Sequence, residues 1–183
     1  MDLAYISNGT LKIKSQKIGN TVYSVKMSTL QSWTYGWFEV RAKMTDVQGS
    51  WPIVWMAPVS NAYWANYSEM DLLSYAIGGN GKDEVFSGIF TWSFGKGHLT
   101  NVNDAASTFH VFACEWTTYE IRFYIDGFLR YTYANDGKND FKTWPFYIPY
   151  DIKLDLIIGG LGGTLDESQL PAVYEIDYVR VYQ

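Results

Sequence analysis

Apolar and polar positions alternate with a period of two along much of the chain. From Gly36 to Met44, Phe38, Val40, Ala42 and Met44 fall on one face of an extended strand, and Trp37, Glu39, Arg41 and Lys43 fall on the other. A strand divided in this way packs one face on a second sheet and leaves the other open. Ile152, Leu154, Leu156 and Ile158, with Ile157 between them, predict a strand covered on both faces. Other short runs rich in Val, Ile, Tyr, Phe, Trp and Thr end at turn signals such as Asn8-Gly9, Gly19-Asn20, Gly78-Gly79-Asn80-Gly81 and Asn135-Asp136-Gly137. Helical periodicity nowhere persists beyond two turns, and there is no repeat, low-complexity tract or linker. The pattern predicts one all-β domain over residues 1–183, an antiparallel β-sandwich.

Composition fits that reading and narrows the partners. With 48% hydrophobic and 18% aromatic residues, the 183-residue chain has ample material for one sandwich core. A net charge of −5 disfavours a phosphate backbone, so no nucleic-acid partner is expected. No apolar run approaches the roughly 20 residues that span a bilayer, so no membrane partner is expected, and Met1-Asp2-Leu3-Ala4 lacks the regions of a secretory signal. Cys114 is the one cysteine; it makes no intrachain disulfide and, inside an apolar strand, reads as a buried filler. His98 and His110 stand apart from clusters at metal-ligand spacing, and no metal or other cofactor is expected.

The candidate chemistry lies in Glu69-Met70-Asp71-Leu72-Leu73-Ser74. On a strand, Glu69 and Asp71 share one face while Met70 and Leu72 point to the other. A bulge of one residue after Asp71 returns position 74 to the carboxylate face, where a third functional side chain belongs; here it is Ser74. A retaining glycosidase needs two carboxyl groups about 5–5.5 Å apart. Five steps along a bulged strand separate the two Cα atoms by about 13–16 Å. Two glutamates leaning together close most of that gap, whereas serine is too short and holds its proton too tightly to serve as a general acid near neutral pH.

This strand resembles the Glu-x-Asp-x-x-Glu signature of glycoside hydrolase family 16, the endo-acting β-glucanases that include laminarinases and lichenases. Further matches run in order along nearly the whole chain: Tyr35 to Lys43 resembles YGxFExRxK, Gly49 to Met56 resembles GxWPAFW, and Phe109 to Trp116 with Ile121 to Gly127 resembles the FHxYxxEW and IxFYxDG pair. Trp144-Pro145-Phe146, Asp155 to Gly160 and Ile176 to Tyr182 complete the series. The resemblance implies a jelly-roll, concanavalin A-like sandwich with a concave substrate cleft. It implies Glu69 as nucleophile, Asp71 as the residue that orients it, and position 74 as acid/base. It further implies a secreted, monomeric enzyme with a β-glucan polysaccharide or oligosaccharide as partner, its signal sequence removed or omitted.

Three departures from the family pattern stand out: Ser74 replaces the acid/base glutamate, Thr91 stands where many laminarinases carry histidine, and Leu161 replaces an Asn-Trp pair. Ile6 to Lys14 resembles an early DGxLxI strand that in the family follows further strands, so an open sheet edge is expected here. The same shortening removes partners from a calcium site that some relatives build with the aspartate matching Asp177, and no metal is expected there.

Among the aromatics, Trp37, Trp55, Trp116 and Trp144 read as core, and Trp64 and Trp92 as platforms for pyranose rings. Trp51 fits either role, and Arg41, on the open face of its strand, is a candidate sugar-hydroxyl contact. Three functional readings follow. The first is a retaining endo-β-glucanase for β-1,3- or mixed β-1,3-1,4-glucan that binds its substrate and scarcely cleaves it, because serine occupies the acid/base position. The second is a non-catalytic β-glucan-binding protein, with hydrolysis of another β-linked polysaccharide such as an algal galactan as a variant of the enzyme reading. The third is a sandwich interaction module with accidental carboxylates.

Overall fold

The computed structural model describes residues 2–59, 67–138 and 140–183. Among them the regular structure is fourteen strands and two short 3-10 turns. The strands are β1 (Ala4–Ser7), β2 (Thr10–Ile18), β3 (Thr21–Tyr23), β4 (Lys26–Ser28), β5 (Gly36–Lys43), β6 (Ser50–Pro58) and β7 (Ser68–Ser74). They continue with β8 (Glu84–Thr91), β9 (Gly95–Asn101), β10 (His110–Trp116), β11 (Glu120–Ile125), β12 (Phe128–Ala134), β13 (Tyr150–Ile158) and β14 (Ala172–Tyr182).

Two antiparallel sheets face each other. One runs β1-β2-β14-β5-β10-β11-β12 with β3 added to β2; the other runs β4-β13-β6-β7-β8-β9. The period-two pattern explains the layering. Phe38, Val40 and Ala42 of β5 are fully buried, as are Phe112 and Cys114 of β10, and they meet Val54, Met56, Met70 and Ile89 of the other sheet. Each such aliphatic or aromatic side chain contributes about 1.5–3 kcal/mol by leaving water. Trp116 and Trp144 join this core, Trp116 edge-on to Tyr150 with ring centres 5.2 Å apart. Phe94, just before β9, packs against Tyr133 of β12 at 6.2 Å and helps close one side of the sandwich.

The strand expected to be covered on both faces is β13. It lies between β4 and β6, with Ile152, Leu154 and Leu156 buried on the core side and Asp155 nearly buried on the outer side. At its end the chain makes a tight glycine seam. Gly49 has φ 88°, and a β-carbon there would lie 2.3 Å from the Leu165 Cα, so only glycine admits that backbone crossing. The seam fixes the loop after β13 beside the start of β6, next to Trp51.

Candidate active site

β7 is inside the six-stranded sheet, between β6 and β8, so its outward side chains stand on a floor supported from both sides. Asp71 lies opposite Trp55 on β6 and Gly88 on β8; Ser74 lies opposite Ile53 and Phe86. Between these two pairs β7 spends three residue steps where each neighbour spends two. That surplus residue is the bulge foreseen from the sequence, and it brings Glu69, Asp71 and Ser74 to one outer face. Met70, Leu72 and Leu73 fill the core beneath.

The three side chains differ in surroundings. Glu69 keeps partial access to solvent and accepts a short hydrogen bond from the Tyr67 hydroxyl. Burial raises the Glu69 carboxyl above its ordinary value, and the Tyr67 bond pulls it partly back. Asp71 is only 2% exposed, and its Oδ1 has no hydrogen-bond partner among the described residues. Burial and then the nearby Glu69 charge push its carboxyl well above the usual range. Ser74 is buried beneath Trp51, whose indole Nε1 donates to the serine hydroxyl at 2.8 Å. Its backbone oxygen accepts from Asn80 Nδ2 at 2.9 Å, which anchors the C-terminal end of the bulged strand.

Chemically, the face offers one partly accessible carboxyl, one buried carboxyl beside it, and the hydroxyl of Ser74. A carboxylate with this access can attack an electrophilic carbon. The serine can hold a hydrogen bond but cannot deliver a proton to a poor leaving group.

Trp51 and Trp92 are the tryptophans of the expected platform that fall within the described residues; Trp64 lies outside them. Trp51 packs beside Gly160 and reaches Ser74, and Trp92 is 69% exposed at the turn after β8. Arg41 is not brought to the carboxylates. It lies on β5 in the opposite sheet, where its guanidinium pairs with Asp177 at 2.5 Å and covers the Phe109 ring at 4.8 Å. The open face read from alternation is real, but it is the outer face of the other layer. Asp177, the aspartate matched to the calcium site of some relatives, is here paired with Arg41.

Sequence reasoning missed four residues. Tyr67 lies two positions before Glu69 and therefore on the same side of the strand, a signal that was available. Trp55, expected in the core, stands on the outer face between the ammonium groups of Lys26 and Lys153, 5.4 and 5.6 Å from its ring. Phe86 and Phe90 share the outer face of β8 with the positions opposite Ser74 and Glu69. His110, by contrast, is held between Asp126 at 2.7 Å and Asp104 at 3.2 Å on the eight-stranded sheet and takes no part in this site.

Comparison with known proteins follows the same lines. The model of the family described as Glycosyl hydrolases family 16 matches residues 2–180. A beta-glucanase of Rhodothermus marinus is 35% identical over 169 residues, covering 83% of this chain and 58% of that protein. A keratan-sulfate endo-1,4-beta-galactosidase of Sphingobacterium multivorum is 33% identical over 167 residues, 83% of this chain and 37% of its own length. The chain thus spans about half or less of these curated relatives. Among solved structures, a glutamate-to-serine variant of SCLam, a non-specific endo-beta-1,3(4)-glucanase presenting a 1,3-beta-D-cellobiosyl-glucose at its active site, superposes with TM-score 0.91. It is 30% identical, over 98% of this chain and 77% of that one.

Proposed function

Because the chain belongs to family 16 of the glycosyl hydrolases, we propose that it is the single-domain catalytic module of a retaining endo-β-1,3(4)-glucanase, with cleavage disabled at position 74. The observation that carries this reading is the bulged β7, which presents Glu69, Asp71 and Ser74 on one outer face. In a double displacement, Glu69 attacks the anomeric carbon through an oxocarbenium-like transition state, and the glycosyl-enzyme is then released by water. Asp71, fixed beside Trp55 and Gly88, holds the local charge balance around that nucleophile. The step that fails is protonation of the departing sugar oxygen, because Ser74 stands in place of the acid. General acid assistance is worth about 10²–10⁴ in rate, so the chain binds glucan and turns it over very slowly. A polymeric substrate too large to enter a cell favours work outside it, and the proposal includes a monomer as the working unit.

The test is Ser74→Glu, assayed on laminarin and on mixed-linkage β-glucan for new reducing ends. At least a hundredfold gain in rate over the unmodified chain is expected. A folded Ser74→Glu protein that still binds glucan and cleaves nothing would favour the second reading, a non-catalytic glucan receptor, to which the serine itself points. Absence of any binding would leave a sandwich interaction module.

A further inference from the structure

We infer that Phe86 and Phe90 form a sugar-stacking platform on the cleft side of the β8–β9 hairpin, built for an uncharged β-linked hexose polymer. The inference rests on the glucanase reading and names residues that would hold its neutral polymer.

The platform is made by laying aromatic rings on glycine. Phe90 pairs across the strands with Gly95, and Gly88 pairs with Gly97, next to Phe86. A β-carbon on Gly95 would lie 2.5 Å from Cδ1 and Cε1 of Phe90, and one on Gly97 would lie 2.3 Å from Cζ of Phe86. Each ring therefore occupies the space that a side chain on β9 would fill, and lies down over that strand. The ring centres are 5.5 Å apart, inclined by 44°. Both rings stay partly open to solvent, and the hairpin adds Leu99, 46% exposed, and Trp92, 69% exposed.

A glycine covered by a cross-strand aromatic is also a means of stabilising a hairpin, so position decides between the two roles. Phe90 is directly opposite Glu69, and Phe86 is directly opposite Ser74. The apolar surface is thus continuous with the face that carries the carboxylates, on an outer hairpin where uncovered apolar area is a liability. Pyranose rings present apolar C–H faces that stack on aromatic planes. The charge class follows from what the platform lacks. Between the Glu84–Asn101 pair and the turn, β8 and β9 place no charged side chain on this face; the Lys96 ammonium instead lies over the Phe94 and Tyr133 rings, at 5.2 and 5.8 Å. On this face of the hairpin, between the Glu84–Asn101 pair and the turn, no cation stands to pair with a sulfate.

The experiment measures binding of a β-1,3-linked gluco-hexasaccharide, a neutral galactan oligosaccharide and a sulfated galactan oligosaccharide by calorimetry, using the chain as it stands. Phe90→Ala should weaken binding of the preferred neutral oligosaccharide about tenfold, and Phe90→Trp should restore it. Gly95→Ala is the sharper variant, because the added methyl meets only the Phe90 ring and must displace it. It should weaken binding to a similar degree while circular dichroism shows the sandwich still folded. Unchanged affinity in both Phe90→Ala and Gly95→Ala would remove the platform and leave the glucan reading intact. A preference for the sulfated oligosaccharide would overturn the charge assignment, and no binding of any neutral oligosaccharide would overturn both readings together.

Discussion

Asp71→Asn should make the protein more stable near neutral pH and no more stable in acid. Asp71 is buried, one of its oxygens lacks a partner among the described residues, and it shares a strand face with Glu69 two positions away. Two extended steps put the two Cα atoms about 7 Å apart. Two unit charges at that separation repel by about 2 kcal/mol at an effective dielectric constant near 20. Leaving a buried polar group unpaired costs a comparable 1–3 kcal/mol or so. Asparagine keeps the shape and removes the charge, so a gain of about 2 kcal/mol is expected at pH 7, which for a chain of this size raises Tm by about 4–8 °C. The sign follows from the folded carboxyl being raised by burial and by Glu69. Both states are protonated below the unfolded value of about 3.9, so the penalty is absent there, grows as the pH climbs from that value toward the raised folded one, and levels off above it. Thermal unfolding followed by circular dichroism from pH 4 to 8 reads this directly. A variant that is less stable at every pH, or whose advantage does not change with pH, would refute the claim that Asp71 is an uncompensated buried charge. The same substitution in the Ser74→Glu background should lower glucan hydrolysis, the usual exchange of activity for stability at a functional site.

Two further outcomes follow from the electrostatics. Tyr67→Phe, made in the Ser74→Glu background, removes the hydroxyl that holds the Glu69 carboxyl down, so the acid limb of the kcat/KM profile should move to higher pH. An unmoved limb would make Tyr67 a packing residue only. Glu175 bridges Lys12 at 2.6 Å and Lys43 at 2.8 Å; burial works against its charge, yet these bonds bring its carboxyl down to about 2. Solvent screens this surface cluster, so Glu175→Gln should cost only about 1 kcal/mol near neutral pH. That loss should shrink as the pH falls from about 4.3 toward 2, and a difference constant across denaturant titrations from pH 2 to 7 would count against the ion pairs.

The parts of this molecule legible in its sequence are those set by local periodicity. Alternation along Gly36 to Met44 names the inward residues correctly, since Phe38, Val40 and Ala42 are all fully buried. The bulge in β7 was readable for the same reason: a strand can return residue 74 to the face of residues 69 and 71 only by gaining a residue. Periodicity says which side chains share a face, but not which sheet the face belongs to. That limit explains Arg41, whose strand was correctly split but joins β14 and β10 on the opposite layer from the carboxylates. It also explains Trp55, placed in the core from residue type alone, although its neighbours are lysines of β4 and β13 that only long-range pairing delivers. The β8–β9 hairpin carries the argument furthest. Phe86 and Phe90 lie down as one apolar surface only because Gly95 and Gly97 stand across from and beside them with no side chain to lift the rings. A strand that alternates aromatic with small residues, followed within one turn by a strand that alternates glycine with longer side chains, therefore encodes a surface jointly. Neither half shows it alone, and the register between them decides whether those rings lie beside Glu69 and Ser74 or face away from both.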